Sequence, residues 1–208
     1  MTTYLGLDLL DLLPHREDDP SPASQWGLDR FDPLTGKLVV DAVTAAARVG
    51  RPGVWYVRDR TALQTMRDFV TARGGRRVPF WLPTWQNDLP LVQSASSSAG
   101  TLVVRETGYA RFTFGAETFA RRYLAILTAG GAVVTPKKIV AATDNEDGTE
   151  TLTVDGTLGV DVTPASTMLS FLTYVRLADD EVVFRHLSQN LAVVLLPTIE
   201  IPTETPTF

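Results

Sequence analysis

Short apolar segments separated by turn residues run through most of this chain, and they limit its fold more than any other feature. Glycine, proline, asparagine and aspartate flank these segments, and such residues favour turns. The predicted strands are Leu38–Val43, Val54–Val57, Leu102–Val104, Ala110–Phe114, Tyr123–Leu127, Lys138–Ala142, Glu150–Val154, Met168–Leu177, Val182–Leu187 and Leu191–Leu196. Many short strands with one clear helix indicate a mainly β fold, either a sandwich or a barrel.

One segment has helical periodicity instead. Its start, Thr61-x-x-Gln64, fits a capping box, in which side chain and backbone satisfy each other's free groups. Gly74 and Gly75 follow it and supply the left-handed backbone that ends many helices. The apolar positions on one face are Leu63, Met66, Phe69 and Val70. We predict a helix at 61–73 that lies with this face across a sheet.

Composition and turn signals divide the chain. Three prolines and an acidic run between Pro14 and Gln25 predict an extended arm. A Ser/Ala/Gly-rich linker, Gln93–Gly100, marks the next boundary. The expected parts are an N-terminal arm at 1–25, a β domain at 26–100 that contains the helix and is completed by later strands, further strands at 101–197 that include a candidate second β domain, and a C-terminal tail at 198–208.

A leucine-rich stretch precedes the acidic arm and includes Leu9 and Leu12. Such a stretch should not stay exposed in a soluble protein. We predict that it is buried against a neighbouring chain, with the arm as its connection. The alternative is that it forms the first strand or helix of its own domain, because termini are ordered when a sheet holds them.

Charge is unevenly distributed along the chain. The net charge of −5 argues against non-specific nucleic-acid binding. Residues 1–25 carry five acids and one base, residues 26–143 carry 16 bases and 8 acids, and residues 144–208 carry two bases and 11 acids. Opposite charges on one subunit favour head-to-tail contacts between copies. Accidental clustering of solvated charge is the alternative.

Residues that common enzymes and metal sites require are mostly missing. The sequence has no cysteine, and His15 and His186 lack zinc-ligand spacing. It also lacks nucleophile-elbow, dinucleotide and P-loop motifs. The acids of Asp144–Glu150 do not fall at the ligand positions of a calcium-binding loop. For Asp179–Glu181 we predict a solvent-exposed turn, because consecutive side chains of a strand point apart. We therefore predict a non-enzymatic chain without cofactor or metal, soluble, not secreted and not inserted in a membrane, since its apolar runs are short.

Aromatic residues and prolines concentrate after the helix. Trp81 and Trp85 share one parity of an extended chain, whereas Phe80 lies on the other. Prolines confine this segment to a sheet edge or a loop. The tryptophans could stack on a sugar, and packing in a core or between subunits explains them as well. The candidate interface residues are Phe80, Trp81, Trp85, Arg76, Arg77, Leu9 and Leu12.

The stretch Arg60–Val92 has a recognisable order of features: RTALQTMRDFVTARGGRRVPFWLPTWQNDLPLV. A helix ends in Gly-Gly, two arginines follow, and a Phe-Trp-x-Pro core precedes an acid-containing loop. This order resembles small tail proteins of tailed bacteriophages, and it is most similar to the distal-tail type, which sits where the tail tube meets the tip or baseplate. Two later stretches, IVAATDNEDGTETLTVDGTLGVDV and VRLADDEVVFRHLSQNLAVVLLPTIEIP, are more loosely similar to late portions of such proteins.

The resemblance implies a structural subunit of the virion tail, made in the cytoplasm of the bacterial host. Its fold would be a tail-tube-like β-sandwich with a flanking helix and a second, smaller β domain. Its partners would be copies of itself in a ring, a hexamer or a trimer, together with the tail tube protein and the tail-tip or hub proteins. The resemblance implies no catalytic residue in this chain. A carbohydrate-binding module for host recognition at the tail tip is the alternative function.

Overall fold

The structure is a computed structural model that describes residues 2–14, 23–25, 28–31, 39–42, 48–116 and 121–201. The predicted mainly β class is confirmed, because strands predominate among the described residues and one α-helix accompanies them there. The strands are β1 Thr2–Tyr4, β2 Leu7–Leu9, β3 Ala23–Gln25, β4 Leu28–Phe31, β5 Val39–Ala42, β6 Arg48–Val57, β7 Phe80–Pro83, β8 Thr101–Arg105, β9 Tyr123–Thr128, β10 Val133–Asp144, β11 Thr149–Val154, β12 Met168–Leu177, β13 Val183–His186 and β14 Ala192–Glu200.

Two compact units share the chain, and both are discontinuous in sequence. The first combines residues 1–13 with 80–174, and the second combines 14–79 with 175–207. The expected boundary near residue 100 therefore lies inside the first unit. Its strands on both sides of that point, β7 and β8, belong to one sheet.

The sheet of the first unit has the strand order β1-β2-β7-β12-β9-β10-β11-β8. Hairpins join β9 to β10 and β10 to β11, both antiparallel. The predicted turn Asn145–Gly148 connects the second pair, and Gly148 has φ +83°, a conformation that glycine adopts without strain. One apolar cluster of this unit includes Leu102, Val104, Leu124, Ile126, Ile139, Leu152 and Leu169.

The leucine-rich N-terminus is part of this sheet. β1 and β2 form a hairpin, in which Leu5 and Gly6 take positive φ at the turn. β2 pairs in parallel with β7, where Leu9 lies opposite Trp81, and Leu10 donates its N–H to the carbonyl of Trp81 at 3.0 Å. Leu9 and Leu10 are fully buried. The predicted burial against a neighbouring chain is wrong for these residues, because their own sheet covers them; the acidic run from His15 to Pro20 lies outside the described residues.

The second unit is built around β14. This strand pairs antiparallel with β6 along most of its length, and on its other side with β13 and the last residues of β12. β3 extends the sheet beyond β6. β4 and β5 form a separate two-stranded sheet.

The helix α1 spans Arg60–Arg73 and belongs to the second unit. It begins one residue before the predicted start, because the Asp59 side chain accepts the N–H of Ala62 at 2.6 Å and acts as the cap. The predicted capping box is therefore wrong. The predicted end is confirmed, since Gly74 adopts φ 57° and ψ 48°. Met66 and Phe69 are buried, as the apolar stripe requires.

Candidate assembly interface

The register between β6 and β14 separates two faces of the sheet in the second unit. Trp55 lies opposite Val194, and Val57 lies opposite Ala192. All four side chains are buried. Because side chains alternate along a strand, the residues between them point to the other face.

The helix contacts the buried face at the edge strand β13 through Arg67. The Arg67 guanidinium lies 5.9 Å from the centre of the Phe184 ring, and its Nη2 is 3.2 Å from Nε2 of His186. Phe184 and His186 lie opposite Val194 and Ala192, so they occupy the same face as the buried residues. His186 therefore contacts the helix.

The opposite face of this sheet is mainly apolar, carries an exposed cation, Arg185 on β13 opposite Val193, and remains partly accessible. Tyr56 on β6 is 40% exposed, and Val183 on β13 is 38% exposed. Along β14 the alternate residues are half-buried. We call this surface the apolar face; its members are Val54, Tyr56, Val183, Val193, Leu195, Pro197 and Ile199. A contiguous apolar surface of this kind is typical of a protein–protein interaction site rather than of a surface that only water contacts.

A cavity of about 410 Å³ opens on the apolar face. Its apolar lining includes Val54, Val183 and Leu195, and its rim includes the acids Asp179 and Glu181. We call it the acid-rimmed cavity. It offers an apolar floor with negative charge beside it, a combination that suits a partner with an apolar side chain next to a cation.

Local hydrogen bonds fix the shape of the acidic turn. Asp179 Oδ1 accepts the N–H groups of Asp180 and Glu181, at 2.7 and 3.4 Å. Asp180 instead pairs with Arg76, whose backbone N–H donates at 2.9 Å and whose Nη2 lies 3.1 Å from Oδ2. These bonds from Arg76 lower the pKa of the Asp180 carboxyl. The Glu181 carboxylate takes part in none of the hydrogen bonds between described residues, so it is left to face solvent or a partner.

Three of the seven predicted interface residues are inside their own chain. Phe80, Trp81 and Leu9 are fully buried, because β7 lies between β2 and β12 rather than at the predicted sheet edge. Prolines are compatible with this position since Pro79 precedes the strand and Pro83 ends it. Arg76 and Arg77 are exposed, whereas Trp85 and Leu12 are half-buried.

Trp81 packs among tyrosines in the core of the first unit. Its ring centre is 4.7 Å from that of Tyr123 and 5.3 Å from that of Tyr174, and its Nε1 donates to the carbonyl of Tyr4 at 3.1 Å. Burial raises the pKa of the Tyr4 phenol. Stacking on a sugar needs an accessible ring face. Trp81 and Trp85 therefore do not form the exposed platform that the carbohydrate-binding alternative requires.

The segment predicted as a strand at Ala110–Phe114 is a π-helix, Tyr109–Phe114. A buried carboxylate from β11 holds its first turn: Glu150 Oε1 accepts the N–H of Ala110 at 2.9 Å, and Oε2 accepts the N–H and hydroxyl of Thr107, each at 3.2 Å. The Tyr109 hydroxyl donates to the carbonyl of Arg121 at 2.6 Å. π-Helical turns are uncommon and often occur at functional sites. The sequence pattern gives no sign of this turn, because its acceptor is distant in sequence.

The π-helix presents Phe112 to solvent. This ring is 70% exposed, more than any other large apolar side chain among those described. The Arg111 guanidinium lies 5.1 Å from the ring centre. We call Arg111 and Phe112 the aromatic knob. An exposed aromatic ring with a neighbouring arginine has the composition of a binding hot spot.

Comparisons with protein-family models and with curated proteins identify no relative. No family model matches the chain, and no curated protein matches it either. Within the described ranges, no group of three or more His, Asp or Glu side chains could hold a metal ion. No helix in that part of the chain is long and apolar enough to cross a membrane.

Proposed function

We propose that the chain is a non-enzymatic structural subunit of a bacteriophage tail that assembles with copies of itself into a ring, a hexamer or a trimer. In this role it joins the tail tube to the proteins of the tip or baseplate. The resemblance of Arg60–Val92 to distal-tail proteins names the family, and the mainly β fold with one α-helix agrees with that resemblance.

The apolar face is the observation that supports self-assembly best. One side of the β6-β14-β13 sheet carries the buried residues of β6 and β14, and α1 contacts this side at β13. The other side carries apolar residues at successive alternate positions of β14, opposite Val54 and Tyr56 of β6. A strand that faces only water would be expected to carry polar residues there. The apolar sequence is explained if another chain covers this face.

Opposite charges on exposed side chains support contacts between unlike surfaces of two copies. Asp179 and Glu181 line the acid-rimmed cavity, whereas the exposed Arg111 makes no ion pair with a described residue. Heterologous contacts of this kind produce closed rings when the rotation between neighbours closes. Closed rings are what a tail adaptor needs, since it must match the symmetry of a tube.

Electron microscopy of the purified full chain in negative stain tests this proposal. We expect rings of uniform size, and sedimentation velocity should give one mass that corresponds to three or six chains. Val183→Arg should reduce the mass to that of one chain, because it places a charge on the apolar face. Val140→Arg is the matched control, since Val140 is 47% exposed on another strand, β10; this variant should still form rings. Wild-type protein that stays monomeric at all concentrations would contradict the proposal.

A further inference from the structure

The aromatic knob is built to stay in place while exposed. Phe112 donates its N–H to the carbonyl of Gly108 at 2.8 Å, and Gly115 donates to the carbonyl of Ala110 at 3.1 Å. Gly108 has φ +74°, and the Phe112 ring packs so closely over it that a Cβ at position 108 would collide with the ring. The buried Glu150 holds the same turn from beneath. A side chain fixed before binding loses little conformational entropy on binding.

The knob and the acid-rimmed cavity have complementary chemistry. The knob combines one aromatic ring with one cation, and Arg111 makes no ion pair with any described residue. The cavity combines an apolar floor of Val54, Val183 and Leu195 with the acids Asp179 and Glu181 at its rim. A phenyl ring occupies an apolar cavity of about 410 Å³ easily, and burial of an aromatic side chain removes roughly 150–250 Å² from water.

We propose that Phe112 of one copy inserts into the acid-rimmed cavity of the next copy, with Arg111 beside Glu181 and Asp179. This inference rests on the proposed self-assembly and specifies how neighbours in the ring are joined. In a ring this contact is heterologous: the knob of each copy binds the cavity of the next copy, rather than two copies exchanging knobs reciprocally. A second copy fits better than a foreign partner, since one chain carries both halves and their charges are opposite.

Sedimentation velocity of two surface variants tests the contact. Phe112→Ala removes the ring, and Val183→Arg fills the cavity with a long charged side chain. Each variant alone should lose assembly, with a dissociation constant raised by at least about 30-fold, the effect expected for an aromatic hot spot. Val133→Ala is the control for Phe112→Ala, because Val133 is also exposed, at 46%, and belongs to neither the knob nor the cavity; it should assemble as wild type does.

A mixture of the two variants gives the sharper result. The Phe112→Ala copy keeps its cavity and the Val183→Arg copy keeps its knob, so one intact contact remains between them. We expect pairs that contain one copy of each variant, and nothing larger. If wild type forms rings but the mixture stays monomeric, the knob contact is wrong and the proposed ring survives. If wild type itself is monomeric, the proposed function fails.

A charge exchange tests the ionic part. Arg111→Glu and Glu181→Arg should each weaken assembly, and the double variant should recover most of it, because the pair is restored with reversed sign. Asp68→Arg, which makes the same charge change at an exposed position of α1, on the other side of the sheet from the cavity, should have no effect. A double variant as weak as the two single variants would exclude the Arg111–Glu181 pairing. Circular dichroism of each variant confirms that it is folded.

Discussion

Replacing the buried Glu150 by alanine should destabilise the first unit strongly. The carboxylate is fully buried and accepts three hydrogen bonds, from the N–H and hydroxyl of Thr107 and from the N–H of Ala110. In Glu150→Ala these donors lose their acceptor. A buried donor left unsatisfied costs about 1–3 kcal/mol. With two of the donors being backbone N–H groups, the expected loss in unfolding free energy is about 2–5 kcal/mol.

Urea unfolding followed by tryptophan fluorescence measures this loss, since Trp81 is buried in the same unit. Glu146→Ala is the matched control, because Glu146 lies exposed on the turn that precedes the same strand; it should change stability by no more than about 0.5 kcal/mol. Glu150→Gln keeps one acceptor oxygen and should fall between the two. A Glu150→Ala protein as stable as wild type would refute the assignment of this carboxylate as the support of the π-helix.

Three further outcomes are expected. Phe69→Ala should cost about 3–5 kcal/mol in thermal or urea unfolding, because it empties a buried site and removes the ring that lies 4.7 Å from the Arg73 guanidinium; Phe112→Ala, at an exposed site, should cost little. Because the pKa of Asp180 is lowered in the folded state, its pairing with Arg76 stabilises the protein fully above the ordinary carboxyl pKa of 3.8. This contribution disappears as the pH falls through the lower pKa of the folded state. The melting temperatures of wild type and Asp180→Asn should therefore differ at about pH 6 and converge at about pH 2. Assembly should weaken as salt rises, since exposed charges are screened over roughly 8 Å at physiological ionic strength; oligomers that sediment identically at low and high salt would point to purely apolar contacts.

Local patterns were sufficient where the structure depends on neighbours in sequence. The strand Met168–Leu177 has the predicted bounds, and the turn at Asn145–Gly148 joins two antiparallel strands as expected. The helix is present because its apolar period and its final Gly74 are both local signals. The predicted first residue of the helix is wrong by one position. Asp59 and Thr61 are both favourable N-cap residues, and the sequence alone does not show which of them caps the helix.

The sequence-based predictions are wrong where residues distant in sequence determine the local structure. A π-helix replaces the predicted strand at Ala110–Phe114 because Glu150, 40 residues beyond Ala110, accepts its free N–H. Trp81 is buried because the N-terminal strand β2 pairs beside it. The apolar face also could not be read from sequence: the residues of β14 point to two faces, and only the pairing with β6 and β13 shows which face the helix leaves open.

Immunogold electron microscopy of virions tests the central claim most directly. The proposed function places the gene for this chain in a phage genome, so an antibody raised against the purified chain would be applied to virions of that phage. The account predicts gold label at one position on each tail, between the tube and the tip or baseplate. Virions without label, or with label on the capsid alone, would contradict the claim that this chain is a structural subunit of the tail.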